Sequence, residues 1–216
     1  MSRVILFNKP FGVLSQFTPA DGHASLADFI PLRDVYPAGR LDADSEGLVV
    51  LTDDGTLQAL ISEPRHKLEK AYWVQVEGEP PPEALRRLAA GLPLGDFVTA
   101  PCKVRLIDEP EGLWPRVPPV RYRASIPTRW IEVRLREGKN RQVRRMTAHV
   151  GHPALRLIRH AVGDWSVRDV PPGTWIEAPI PPALVERLRA RRMRPARDKA
   201  MAGGKEFPAR RGSTTR

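Results

Sequence analysis

A chain of 216 residues favours one compact domain, or two tightly fused halves, and is long enough to bury an ordinary core without staples. Its single cysteine, Cys102, excludes an intramolecular disulfide and a cysteine-based zinc site, which suits a reducing cytoplasm. The formal charge of +10 is uneven: residues 187–216 hold 11 basic and 2 acidic side chains, whereas residues 1–186 hold 24 and 23.

Residues 4–7 read as a buried strand, ended by Asn8-Lys9-Pro10-Phe11-Gly12. This apolar run is too short for a signal peptide, and the next one, 48–51, is too short to span a membrane; a cytoplasmic protein with no membrane partner is expected. Residues 25–30 suggest a short helix. The polar stretch 39–47, with glycine at both ends, is expected to be a loop, followed by a strand over 48–52. Asp53 or Asp54 then caps a helix through Ile61. Alternation predicts a strand around Tyr72, Val74 and Val76. A helix over 83–90 is started by prolines and stopped by Gly91. A strand is expected over 98–107, an ordered proline-rich excursion over 108–128, and another strand over 130–135. Asn140 is the expected N-cap of a helix running to Val150, with Val143, Met146, Thr147 and Val150 facing inward. A strand over 155–162 and a helix over 182–193 complete the body. The boundaries drawn are a domain over 1–194 made of two fused subdomains, and a basic disordered tail over 195–216. Strands outnumber helices without strict alternation, which favours an α+β fold with a mixed, mostly antiparallel sheet flanked by helices.

Two features bear on function. Residues 134–159 carry eight cations (Arg134, Arg136, Lys139, Arg141, Arg144, Arg145, Arg156 and Arg159) against Glu137 alone, across a strand, a turn and a helix that can converge on a polyanion. The loop Gly39-Arg40-Leu41-Asp42-Ala43-Asp44-Ser45-Glu46-Gly47 holds three acids within five residues. Taken alone it fits a solvated turn. It lacks the glycine and terminal glutamate spacing of a calcium loop, and nothing orders a second acid for glycoside hydrolysis.

The loop residues Gly39-Arg40-Leu41-Asp42 and Asp44-Ser45-Glu46-Gly47-Leu48 resemble the signature loop of pseudouridine synthases of the RsuA group. Four further segments agree in order: Asn8-Lys9-Pro10, Lys70-Ala71-Tyr72, Glu137 through Met146, and Leu157-Ile158-Arg159 with Gly163. The resemblance spans residues 4 to about 176. It implies the pseudouridine synthase-like fold, without the S4-type RNA-binding domain that opens many members. The group's large-subunit (23S) ribosomal RNA enzymes of the E type are the most similar, partly through Ile126-Pro127-Thr128. It further implies isomerisation of a uridine in large-subunit ribosomal RNA; that reaction needs no redox change or external group, so no cofactor and no metal are expected, and the chain is expected to be a monomer.

By resemblance Asp42 is the catalytic carboxylate, Arg144 its guanidinium partner, and Tyr72 a ring that stacks on the target base and helps remove the C5 proton. Leu157 covers the uracil's other face, and Arg40 positions the flipped nucleotide. Lys70, Arg141, Arg145 and Arg159 are expected to contact substrate, the arginines as phosphate clamps. The competing readings are a non-catalytic RNA-binding ribosome-assembly factor, and a nucleic-acid hydrolase holding a metal on Asp42 and Asp44.

Overall fold

The computed structural model describes residues 2–20, 22–62, 68–120 and 126–193. Its first strand, β1 (Val4–Lys9), is buried along its whole length and pairs antiparallel with β3 (Glu46–Thr52), which is equally buried. Both faces of this pair are covered, so each strand reads as a continuous apolar run rather than an alternation. Ile5, Phe7, Val49 and Leu51 face one core, shared with Tyr72, Val74, Ile131 and Met146. Val4, Leu6, Leu48 and Val50 face the other, closed by Leu57 and Leu60 of α1 (Gly55–Ser62) and Leu184 and Leu188 of α4 (Pro182–Met193).

β4 (Lys70–Glu77) lies between β6 (Thr128–Leu135) and β7 (Ala154–Val162), antiparallel to both. β5 (Lys103–Ile107) forms one edge beyond β6, and β9 (Trp175–Glu177) forms the other beside β1. The order is β5-β6-β4-β7-β3-β1-β9, with the two-residue strands β2 (Tyr36–Pro37) and β8 (Trp165–Ser166) on β3 and β7. Among these pairings only β3 with β7 is parallel, through Glu46↔Ile158 and Gly47↔Arg159. That contact joins the two halves of the sheet and brings the loop before β3 against the middle of β7. The sheet is therefore mixed and mostly antiparallel, as expected.

Most sequence expectations hold within a residue or two, and Asp54 is the cap of α1: its Oδ1 accepts from the backbone N–H of Thr56 at 2.8 Å and Leu57 at 3.1 Å. Three expectations are corrected. The helix expected over 25–30 is one 3₁₀ turn, Leu26–Asp28, with Ser25 and Asp28 forming a capping box. The strand expected over 98–107 joins the sheet only from Lys103: Val98 makes an isolated bridge to Pro93, and the Cys102 N–H donates to Ala89 O of α2 (Pro82–Ala90) at 2.9 Å. Asn140 does not cap α3 (Gln142–His149). Arg141 stands at that position in the left-handed conformation (φ 49°), and Gln142 Oε1 accepts from the Lys139 N–H at 3.0 Å. The short strands β2, β8 and β9 were not anticipated. Of the proline-rich excursion, residues 108–120 and 126–128 are described: Trp114 packs beside the small Trp73, Trp130 and Ile158 core, and Thr128 already belongs to β6. The tail over 195–216 lies outside the described residues. Among the described residues no helix is long and apolar enough to cross a membrane.

Candidate active site

The loop between β2 and β3 carries Asp42, and its backbone is held carbonyl by carbonyl. Arg159 Nη1 donates to Arg40 O at 3.2 Å, and Ser15 Oγ donates to Leu41 O at 2.7 Å. The Ser45 N–H donates to Asp42 O at 3.0 Å, and the Gly12 N–H donates to Ala43 O at 2.7 Å. Arg144 Nη2 donates to Asp44 O at 2.6 Å. Five consecutive carbonyls thus have partners, mostly on distant segments of the chain, which fixes the direction of the Asp42 side chain without any contact to its carboxylate.

Beneath the loop lies Lys9, a fully buried lysine whose Nζ donates to Val13 O at 2.8 Å and Pro10 O at 2.9 Å and reaches Ala43 O at 3.4 Å. Burial lowers its pKa to about 7, although the charge of Glu46 opposes the shift. Glu46 is buried in a bidentate pair with Arg156, both contacts being 2.8 Å, and also accepts from Trp114 Nε1 at 2.9 Å. Gly47 follows with φ 102°, and a Cβ there would stand 2.3 Å from Arg159 O. Only glycine lets β3 and β7 approach this closely.

The loop opens on a cavity of about 520 Å³. Tyr72, Leu157, Leu41 and Val143 line it and belong to the first core as well. Tyr72 is therefore both core and wall: the residue is 8 % exposed, on the strand face that carries Val74 and Val76. Lys70 and Arg159 also line the cavity, and burial followed by the charge of Arg159 lowers the Lys70 pKa to about 8. Arg40, Arg136, Lys139, Asn140 and Arg141 line the exposed mouth.

The two loop acids have different surroundings. Asp44 receives Arg141 Nη1 at 3.1 Å and Nη2 at 2.8 Å, with Arg144 Nε 3.4 Å away. Partial burial works against its ionisation. The hydrogen bond from Arg141 and the two guanidinium charges outweigh that and hold the carboxyl below its ordinary value. Asp42 is half-exposed in the cavity, with Arg141 Nη1 3.6 Å from Oδ2. The guanidinium facing Asp42 is thus that of Arg141, where Arg144 was expected. Arg144 is mostly buried and holds the loop through Asp44 O, while its Nη1 donates to Ala154 O at 3.2 Å.

The basic cluster of 134–159 does not converge as a whole. Arg156 is spent on Glu46, and Arg134 on Glu132 and Glu69. Arg145 is paired with Asp96 and donates to Leu94 O. Arg159 is 4 % exposed and donates its Nε to Leu48 O at 2.8 Å. Arg145 and Arg159 therefore organise the protein where phosphate clamps were expected. Among the described residues, the side chains of Arg40 and Arg136 have no hydrogen bond or ion pair, and Lys139 has no salt bridge. Arg136 was not singled out as a site residue from the sequence. Its distinguishing property, the absence of an acid within reach, is a property of the fold. His152 Nδ1 donates to Glu77 O at 2.9 Å, and His160 is buried against Glu132, so neither lies at the cavity.

A buttressed aspartate loop at the parallel β3–β7 junction thus opens on a cation-rimmed cavity, whose charge suits an anionic substrate. The chain belongs to the RNA pseudouridylate synthase family, whose model matches residues 3–149. It is 56 % identical over 175 residues to the ribosomal large subunit pseudouridine synthase E of Vibrio parahaemolyticus, covering 81 % of this chain and 73 % of that protein. The protein of the same name from Xanthomonas axonopodis is 54 % identical over 171 residues, covering 78 % and 90 %. A crystal structure of a pseudouridylate synthase superposes with a TM-score of 0.70 at 25 % identity, covering 87 % of this chain and 74 % of that one. The fold is thus that of the pseudouridine synthases, and the chain is an enzyme of the isomerase class.

Proposed function

We propose that this protein converts a specific uridine of large-subunit (23S) ribosomal RNA to pseudouridine, with Asp42 as the catalytic carboxylate. The observation that carries this is the contrast between the two loop acids. Asp44 is gripped by two arginines, whereas Asp42 presents a half-exposed carboxylate to a cavity walled by Tyr72 and Leu157. The names of the relatives support the ribosomal RNA substrate.

The reaction breaks the N1–C1′ bond, turns the uracil and joins C5 to C1′; a proton leaves C5 and one is gained at N1. No redox change or external group is needed, so the chemistry asks for no cofactor. A carboxylate beside C1′ serves as nucleophile or stabilises positive charge there. Tyr72 offers a ring for stacking and a hydroxyl for moving the C5 proton. Leu157 supports an apolar contact on the base, and the Lys70 amine can donate to an acceptor of the flipped nucleotide. Arg40 and Arg136 leave two guanidinium forks for phosphates at the mouth, and Arg144 positions the loop through Asp44. A uridine must leave its stack to reach this cavity. Asp42, Tyr72 and Arg141 all come from one chain, which supports action as a monomer, and the proposed substrate supports a cytoplasmic setting. The metal-dependent hydrolase reading is disfavoured because the Asp44 carboxylate is already occupied by guanidinium groups.

The test is release of tritium from 5-³H-uridine in a 23S ribosomal RNA transcript, with mapping of the product. Purified parent enzyme should release it at one or very few sites, and the Asp42→Asn enzyme should not. Modification confined to transfer RNA would refute the substrate.

A further inference from the structure

Beside the cavity, the segment joining α2 to β5 makes a tight turn whose aromatic residue joins none of the three cores among the described residues. The Leu94 N–H donates to Phe97 O at 2.8 Å, Gly95 takes φ 90°, and Pro93 bridges Val98. The Leu92 N–H donates to Thr99 Oγ1 at 2.9 Å. This turn is bolted to the entry of α3. Arg145 grips the Asp96 carboxylate and Leu94 O, and its guanidinium lies 5.0 Å from the Phe97 ring centroid. The Ala100 N–H donates to Glu137 Oε1 at 2.9 Å, and that oxygen also accepts from Gln142 Nε2.

Phe97 is thus a partly exposed ring on a braced turn, its position set by contacts on either side. Lys139 Nζ stands 5.8 Å from the ring centroid, and Lys139 also lines the mouth of the cavity. The two cations near the ring differ in availability. Arg145 is committed to Asp96, whereas Lys139 is exposed and has no salt bridge among the described residues. A ring on a braced turn, with an exposed cation beside a positively rimmed cavity, has the composition of a stacking platform for single-stranded nucleic acid. There a base lies on the ring and the cation meets the phosphate.

We infer that Phe97 and Lys139 form a second nucleotide subsite, which holds an unpaired nucleotide flanking the target uridine. This rests on the RNA isomerase reading above. The flipped uridine occupies the cavity. The neighbouring phosphate then draws Lys139 off the ring, and the neighbouring base takes its place. The subsite would select targets with an unpaired flanking nucleotide and be indifferent to the identity of its base, because every base offers a face to stack.

The experiment uses the full chain and a large-subunit ribosomal RNA stem-loop containing the uridine located by product mapping. Replacing Phe97 by alanine, and separately by leucine to keep apolar bulk, should raise KM by about five- to tenfold with kcat within about twofold. Abasic replacement of one particular flanking nucleotide should cost the parent the same factor and cost the Phe97→Ala enzyme nothing further. A Phe97→Leu enzyme with the parental KM would overturn the stacking role. So would losses from abasic replacement that multiply with Phe97→Ala at every flanking position. A parent enzyme that fails to convert the fragment would instead remove the functional reading, and the subsite with it.

Discussion

Arg141 grips both carboxylate oxygens of Asp44, at 3.1 and 2.8 Å, and leaves Asp42 at 3.6 Å, outside hydrogen-bond range. The left-handed backbone of Arg141 is uncommon for a residue with a Cβ, and it occurs where one guanidinium must reach two acids 97 and 99 residues away. Asp44 is thereby held in place, while the Asp42 carboxylate accepts no hydrogen bond among the described residues, as its proposed role asks.

That division predicts unequal mutants. Asp42→Asn preserves size and loop backbone bonds but removes the charge, so turnover should fall by at least about a hundredfold with RNA affinity nearly unchanged. Asp44→Asn should cost only about tenfold, through a displaced Arg141. Single-turnover rates and filter binding on both proteins decide it, and a more sensitive Asp44 would show that the wrong acid has been assigned.

Tyr72→Phe keeps the ring in its place between core and cavity and removes only the hydroxyl. Turnover should fall far more than affinity, by about 10²-fold or more. Equal losses in rate and binding assays would make Tyr72 a structural residue alone.

The parallel junction is the point where the sheet tolerates least. A Cβ on Gly47 meets Arg159 O at 2.3 Å, with φ already at 102°. Gly47→Ala should therefore destabilise the fold by about 3 kcal/mol, from overpacking plus the left-handed penalty. The midpoint of urea unfolding measures it. Turnover should also fall, since Arg159 holds Arg40 O.

Acid should weaken the protein in two steps. Burial lowers the His160 pKa to about 4 despite Glu132, so the folded state resists a proton that the unfolded chain accepts below about 6.5. Stability is lost as pH falls from 6.5 towards 4. Glu132 is held at about 2: burial opposes ionisation, but Arg134 and Arg105 outweigh it. Its share is present above 4.5 and lost as pH falls towards 2. His160→Gln should flatten the upper step, worth about 1–3 kcal/mol. Thermal midpoints measured between pH 4 and 7 test this, and an unchanged slope would reject it. Loss of the stacking of His160 on Trp73, whose ring centroids lie 4.3 Å apart, should also lower the absolute stability of the variant.

Arg40 and Arg136 should act through phosphates. Replacing either by alanine should raise KM and reduce the slope of log K against log salt by about 0.7–0.9, according to the strandedness at the contact. Arg156→Ala should instead unfold or destabilise the protein, because it leaves Glu46 buried and unpaired. Salt titrations of RNA binding separate the classes. A rim arginine whose loss leaves the slope unchanged makes no phosphate contact.

The sequence by itself determined the strands β1, β4, β6 and β7, helices α1, α2 and α4, and the Asp42 loop. These are written in local terms: apolar runs and alternation, an Asp54 cap, a proline start, a glycine-bounded run of acids; the family entered only through the resemblance of several motifs in order. Strands of two or three residues, such as β2, β8 and β9, are too short to show a period, and they form because a neighbour offers them hydrogen bonds. Only the tertiary structure decided the duty of each arginine. Arg156 meets Glu46 across 110 residues, Arg144 meets the Asp44 carbonyl across 100, and Arg145 meets Asp96 across 49. A guanidinium is a clamp for RNA or a brace for the protein according to the acids and carbonyls that folding brings within about 3 Å of it, and that distance is set by the whole sheet rather than by the residues beside it in the chain.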